Sequence, residues 1–382
     1  MRALALTLVL PTLLATGCTA SGSSGDQSDI TIAASIELTG PLADMGKTYE
    51  NALRLKVEQL NNSRAADARK LTLRIEDNRS DPPTASAQIS RFATDPSVSA
   101  IITGWSSESL IGAAKIINEK GVPTIALAPA TEVSTPVGER KYIFKLAPNV
   151  DHDATAIVDD LVAAGMKSVR FMASADAYGR DAQDAMVREA TSAGLKDKAV
   201  EQLNASDANY SQAAKTIAQA KPDAVVVLAN PAAAGTAVRA LRDAGFKGRL
   251  ALDATAAGPL FLTGGSTALE GSSLVFTQTL AIDDVIATTP ANASRKQWFQ
   301  DYTARYGGYQ APASFAADAV QLIVNAVDNV GSTNHDAIRA ALETVRIDGL
   351  SGAIRLTPSD HSGLMPQALA MLVARNGRWR LS

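Results

Sequence analysis

The chain has 382 residues, long for a single core and comfortable for two domains. Its 46% apolar and 20% charged residues are those of a soluble globular protein, and a net charge of −3 with a pI near 5.7 argues against a nucleic-acid or polyanion partner. One cysteine excludes a disulfide frame or a Cys-based metal cluster, and the isolated His152, His335 and His361 offer little general-base chemistry.

Arg2 followed by the apolar stretch Ala3–Ala15 reads as a secretory signal, too short to cross a bilayer. It ends Leu14-Ala15-Thr16-Gly17-Cys18, which resembles the lipobox of bacterial lipoproteins. That resemblance implies lipidation of Cys18 and removal of the residues before it. Thr16-Gly17-Cys18 fits the pattern, while Ala15 stands where Leu is usual. Residues 1–18 are thus expected as signal peptide and lipidated Cys, and the polar, Gly/Ser-rich 19–28 as a tether that lets an anchored domain stand off the membrane.

Asp29–Ile36 reads as a first strand, Glu37–Leu42 as a turn, and Gly46–Leu60 as a helix. Strand Leu71–Glu76, loop Asp77–Pro83 and helix Ala85–Thr94 follow, then strand Val98–Thr103. Next comes GWSSESLIGAAKIINEKGVPTIALAPAT, residues 104–131: a polar turn, a helix carrying Leu110, Ala113, Ala114, Ile116 and Ile117 at helical spacing, strand Val122–Leu127 and a second polar turn. Tyr142–Leu146 is another strand. A similar alternation then restarts, with helix Asp151–Ala164, strand Ser168–Ala173, turn Ala177–Asp181, helix Ala182–Ala193, strand Ala199–Leu203, helix Tyr210–Ala218, strand Ala224–Leu228, helix Ala233–Ala244 and strand Leu250–Leu252. After Leu274–Thr277, Trp298, Tyr302 and Tyr306 recur at helical spacing, and Ala316–Val327 is an apolar helix. Ala353–Leu356 and Ala368–Val373 resemble strands, and Asn376-Gly377 a hairpin turn before Trp379–Leu381. Strands alternating with helices mean βαβ units and parallel-rich, helix-covered sheets in two similar lobes.

In such sheets ligands sit at the carboxyl ends of strands. The turns holding Ser106-Ser107 and Pro129-Ala130-Thr131 lie there on neighbouring strands. Hydroxyls and free N–H groups at a helix start suit an anion such as a carboxylate, although the same residues also serve as plain caps.

Several stretches then look familiar: Glu37-Leu38-Thr39-Gly40-Pro41-Leu42-Ala43 with Gly46, Gly104 with Ser106-Ser107, Gly121-Val122-Pro123-Thr124-Ile125, Pro129-Ala130-Thr131, Tyr178-Gly179, Ala244-Gly245-Phe246 and Ala316-Ala317-Asp318-Ala319-Val320. In this order, from about Asp29 to the C-terminus, the set resembles substrate-binding proteins of branched-chain amino-acid ABC transporters, the leucine/isoleucine/valine-binding family. The resemblance implies a type I periplasmic-binding fold: two Rossmann-like α/β lobes joined by a three-stranded hinge that close on a ligand. Lobe one is expected at 29–147 plus 278–350 and lobe two at 148–277 plus 351–382, with the hinge near Leu146–Val150, Thr277–Leu280 and Leu350–Ala353.

By the same resemblance, Ser107 and Thr131 hold an amino acid's carboxylate, with Ser106, Pro129 and Ala130 beside them. Tyr178, Asn230 and the turn Asp253–Thr255 face them from lobe two. Asp253 is the nearest carboxylate for an ammonium group, although Thr255 aligns with the family's acidic position. Met45 stands where the family has an aromatic, as does the stretch Ala311–Ala313. Met45 and Trp105 are expected to line a side-chain pocket. The run Asp151-His152-Asp153 is expected to cap the helix opening lobe two rather than bind metal.

The function implied is that of an extracytoplasmic, lipid-anchored, monomeric solute-binding protein. It would capture an amino acid, branched-chain or related, or an amide, and pass it to an ABC permease without catalysis, cofactor, metal or nucleic acid. The alternative is a ligand sensor of the same fold acting on a signalling partner. An enzyme is disfavoured because neither G-x-G-x-x-G, G-x-x-x-x-G-K-[ST] nor G-x-S-x-G follows a strand.

Overall fold

The computed structural model describes residues 28–65, 68–204, 209–258, 267–310 and 312–382. The signal-like segment, Cys18, most of the tether and Ala311 lie outside these residues. No helix among the described residues is long and apolar enough to cross a membrane.

The first half builds one sheet. Strands β1 (Ile30–Ile36), β2 (Leu71–Asp77), β3 (Ala100–Thr103), β4 (Thr124–Ala126) and β5 (Ile143–Lys145) run parallel in the order β2-β1-β3-β4-β5. Helices α1 (Ala43–Ser63), α2 (Pro82–Thr94) and α3 (Ser107–Lys120) connect them. The short central strands are buried on both faces, which explains their nearly unbroken apolar runs.

The second sheet has seven strands in the order β14-β13-β10-β9-β8-β6-β7. Strands β6 (Val169–Ser174), β7 (Val200–Leu203), β8 (Ala224–Leu228), β9 (Arg249–Leu252) and β10 (Ser273–Thr277) are parallel. The hairpin β13 (Leu369–Arg375) and β14 (Arg378–Leu381) joins antiparallel, its turn made by Asn376-Gly377. Helices α4 (Val150–Ala163), α5 (Ala177–Ser192), α6 (Ser211–Ala220) and α7 (Pro231–Asp243) belong to this half. A small antiparallel pair, β11 (Arg346–Asp348) and β12 (Ala353–Arg355), stands apart.

The late helices α8 (Pro290–Tyr306), α9 (Ala313–Val330) and α10 (His335–Leu342) return to the first sheet, α8 and α9 on α1 and α10 on α9. Tyr302, fully buried, packs on the rings of Trp298, Tyr306 and Tyr309 along and just beyond α8, and α8 is tied to α1 by Tyr306 Oη donating to the Asn51 carbonyl at 3.1 Å and Tyr302 Oη to the Thr48 carbonyl at 3.5 Å.

Several boundaries differ from the sequence-based expectation. Helix α1 starts at Ala43 and takes in Gly46, where a Cβ would stand 2.0 Å from the Glu37 carbonyl oxygen. The expected turn Ala177–Asp181 is the first turn of α5, because Asp176 Oδ1 accepts the Gly179 N–H at 2.7 Å and starts the helix early. Helix α4 is preceded by Asn149, whose side chain makes no cap. Asp151 instead pairs with Arg188, and Asp153 turns inward. Helix α10 and strand β11 are too short to have shown a period in the sequence.

The chain leaves the first sheet at 146–149 and returns to that side after β10. Residues 361–363 pair with the edge of β5, the Lys145 N–H donating to the His361 carbonyl and the Gly363 N–H to the Lys145 carbonyl, both at 2.8 Å. By this pairing the last crossing falls at about 364–368, later than the expected Leu350–Ala353.

Candidate functional site

Each parallel sheet reverses its strand order once, between β1 and β3 in the first and between β6 and β8 in the second. At such a point the neighbouring loops diverge and leave a crevice at the carboxyl ends. The loops concerned hold Glu37, Gly104 and Ser106 on one side, and Asp176, Tyr178 and Asn230 on the other.

On the first side, β3 runs into Gly104, whose N–H donates to the Ser35 carbonyl at 3.0 Å. A Cβ there would lie 2.1 Å from Glu37 Oε2, so only glycine lets the turn close over that carboxylate. Glu37 is buried and accepts the N–H groups of Trp105 at 3.0 Å and Ser106 at 3.1 Å, with Asn78 Nδ2 at 3.4 Å. Burial raises its pKa, and these hydrogen bonds pull it back down. The two amides are therefore not free for a ligand, as a helix-start anion site had suggested. A carboxylate of the protein already occupies them.

Ser106 is the N-cap of α3, its Oγ accepting the Ser109 N–H at 3.3 Å. Ser107 Oγ accepts the Ala130 N–H at 3.2 Å, which joins the two turns singled out in the sequence. Its hydroxyl proton remains available to donate. The next amide, Thr131 N–H, donates at 2.6 Å to Asp181 Oδ2 from α5, across the seam between the sheets. A second bond runs the other way, from Ala177 N–H at the start of α5 to Glu108 Oε1 on α3, also 2.6 Å. Two carboxylate–amide bonds thus hold the strand-end loops of the two halves face to face.

On the second side, Tyr178 is buried and its Oη meets no hydrogen-bonding partner in the protein. Asn230 caps α7 by accepting the Ala233 N–H at 3.0 Å. It also lines a small crevice with Pro41, Leu42, Asp44 and Met45, so Met45 and Asn230 do meet across the seam. Trp105 is half-buried against the first core.

Asp253 and Thr255 are both buried, and Thr255 Oγ1 lies 2.9 and 3.0 Å from the two Asp253 oxygens and 3.2 Å from the Ala229 carbonyl. One hydroxyl proton cannot serve three acceptors. Burial, with Asp153 nearby, raises the Asp253 pKa well above that of an ordinary aspartate, and the hydrogen bond that Thr255 Oγ1 donates to it pulls the other way.

Lys145 escaped the sequence reading, and Asp153 and Asp181 entered it only as part of an expected helix cap and as the end of a turn. Lys145 is fully buried at the end of β5, its Nζ donating to the Pro129 carbonyl at 3.0 Å. Burial lowers its pKa to about 8, against the opposing pull of Asp181 and Asp153. Asp153 accepts from the Ala254 N–H, while its Oδ1 has no partner. Burial raises its pKa to about 8, opposed by Lys145. A lone lysine inside the apolar run Ile143-Phe144-Lys145-Leu146 was the one signal available.

Residues 29–378 match the model of a family described as periplasmic binding protein. An amino acid binding protein of Pseudomonas aeruginosa is 24% identical over 248 residues, 62% of this chain, and the match spans 66% of that relative's length. Among solved structures, an extracellular ligand-binding receptor from Rhodopseudomonas palustris HaA2 superposes with a TM-score of 0.85 at 24% identity, covering 93% of this chain and 100% of that one. The branched-chain amino acid transporter substrate-binding protein LivJ of Streptococcus pneumoniae, in complex with isoleucine, gives 0.79 at 20%, covering 93% and 99%. An R. palustris solute-binding protein in complex with benzoate gives 0.81 at 18%, covering 93% and 95%. These structures share the two-lobed α/β fold.

Proposed function

The chain belongs to the periplasmic binding protein family, and on that premise we propose that it captures a small polar solute between its two lobes, outside the cytoplasm, and hands it to an ABC permease. The observation that carries this reading is the meeting of both strand-order reversal points at one seam, bridged by Asp181–Thr131 and Glu108–Ala177. A seam of hydrogen-bonding loops on two hinged bodies closes when a guest bridges them, because the guest's differential affinity shifts the open–closed balance.

The solute is an amino acid or amide, in keeping with the relative from P. aeruginosa, whose name says that it binds amino acids. Ser107, Ala130 and Thr131 contact it from lobe one, and Tyr178, Asn230 and Asp253 with Thr255 from lobe two. Met45 and Trp105 border the side chain. Lobe one comprises 29–147 plus 278 to about 364, with the remainder in lobe two, since 361–363 pair with β5. Cys18 carries the lipid anchor, and loss of membrane association in Cys18→Ser tests that part.

Mass spectrometry of small molecules released from denatured, freshly purified protein tests the function itself. An amino acid or amide recovered in near-equimolar amount supports it, and the melting temperature should rise with that compound in solution. Saturation at 100 times Kd contributes about 2.7 kcal/mol. Ser107→Ala and Thr131→Ala leaving affinity for the recovered compound unchanged would remove these residues from the site.

A further inference from the structure

A cavity of about 370 Å³, lined by none of the strand-end residues described above, lies where three stretches of chain meet. That volume is in the range of small-molecule sites. Helix α8 brings Phe299 to it from the first side, with Tyr309 just beyond the helix, and β14 brings Trp379 from the second sheet. Between them runs the helical turn 278–284, which follows β10 and packs on both α8 and β14. Its backbone leaves the helical region at Ala281 (φ −116°, ψ 40°), so the returning chain bends at a residue that itself lines the cavity.

The walls are aromatic. The rings of Phe299 and Tyr309 stand 5.0 Å apart at 50°, and Trp379 is 4% exposed. A flat ring entering between them gains face and edge contacts as well as burial. The lining charges are Arg378 and Arg380 against Asp283. Arg380 is already held by Asp284 at 2.5 Å, whereas Arg378 reaches Asp283 only at 3.8 Å, with both side chains about two-thirds exposed (68% and 66%). An exposed pair of that kind contributes little, and a guest carboxylate taking both arms of the guanidinium forms the stronger contact. An ammonium guest would reach Asp283 only beside two guanidinium groups. Thr303, also in the lining, has its Oγ1 buried with no hydrogen-bonding partner in the protein, a hydroxyl still able to donate to a guest.

We propose that this cavity is a second small-molecule site, for an aromatic carboxylate, with the ring among Phe299, Tyr309 and Trp379 and the carboxylate on Arg378. A guest there touches α8, the bend at Ala281 and β14 together, so it steadies the angle between the two halves and alters solute affinity in the cleft. This coupling, unlike the site itself, rests on the proposed solute-binding role.

The test uses the full chain and ligand-observed NMR. Phenylacetate and indole-3-acetate are the probes. Phenethylamine, which keeps a ring and reverses the charge, and acetate, which keeps the charge without a ring, are the controls. Both aromatic acids should bind, and each control about tenfold or more weakly. Gly308 lines the cavity without a positive φ, and a Cβ there meets nothing within 4 Å. Gly308→Leu should therefore fill the space at an unchanged melting temperature and weaken both acids about tenfold. Arg378→Gln should weaken them about three- to fivefold and erase their advantage over phenethylamine. Should Gly308→Leu fold poorly, Arg378→Gln, on an exposed side chain, decides alone. The double variant Ser107→Ala/Thr131→Ala should leave acid binding unchanged. Binding by neither acid, phenethylamine binding as tightly, acids undiminished in Gly308→Leu, or acids lost in the double variant overturns the second site while leaving solute capture intact. Saturating phenylacetate should also shift the affinity for the solute recovered from the protein. An unchanged solute affinity overturns the coupling alone, and a protein that releases no solute yet binds the acids keeps the site while the capture reading fails.

Discussion

Asp153 is buried in the fold, and its effect on stability has a definite sign. An aspartate ordinarily titrates near 3.8, and burial in the fold moves this one to about 8. Between those values the folded state holds the proton more tightly than the unfolded chain does. The contribution is therefore complete below about 4 and is lost as pH rises to about 8. We expect the solute-free melting temperature to decline over that interval and the decline to flatten in Asp153→Asn, read by thermal melts across pH. Asp95 acts in the opposite sense. Its hydrogen bond from Ser97 and its contact with Arg74 lower it to about 2, so its contribution is present above 3.8 and lost as pH falls toward 2. Gly104 is a second residue with a calculable consequence. A Cβ 2.1 Å from Glu37 Oε2 would push that carboxylate off the Trp105 and Ser106 amides. Gly104→Ala should cost about 2–3 kcal/mol, measured as a lower denaturant midpoint at unchanged slope.

At the scale of elements, the first turns of α3 and α5 work as a pair, each offering a carboxylate to the other side. Ion–amide bonds of 2.6 Å are short and charge-assisted, the stronger kind of hydrogen bond. The double variant Glu108→Gln/Asp181→Asn should leave helix content unchanged but open the solute-free molecule, seen as an increased radius of gyration by small-angle scattering. An unchanged radius would show that hinge packing alone sets the closed form. Helix α7 supplies a simpler case. Asn230→Ala removes its N-cap and should cost about 1 kcal/mol in denaturant melts. Much of this scale was legible in the sequence. Strands were visible as short apolar runs, helices as 3.6-residue periods, and Ser106 as a cap by its place before Leu110. Less visible were helix starts such as Ala177, which depend on a single capping contact from Asp176, and α10, too short to display a period.

The whole molecule adds what no local pattern contains, namely which distant groups share one buried space. Ser107 and Ala130 were adjacent turns in the sequence reading, and they do meet, because β3 and β4 are neighbours joined by one helix. That Glu37, Lys145, Asp153 and Asp181 are buried charges could not be read in that way. Each is an ordinary charged residue in a sequence that is one-fifth charged. It becomes unusual only when an element distant in the chain covers it, as the turn after β3 covers Glu37 and the turn after β9 covers Asp153. Composition, period and order were enough to indicate two parallel-rich α/β lobes, because the burial of apolar stripes depends on spacing along one strand or helix, whereas the late return of the chain to the first was implied only by the family resemblance. The tertiary structure alone decided that the strand-end amides are filled by the protein's own carboxylates and that a lysine is buried among aspartates. The reason is that the cost of a charge is set by the dielectric and partners assembled around it, and those come from turns distant in the chain, within the same lobe for Glu37 and from the other lobe for Asp181.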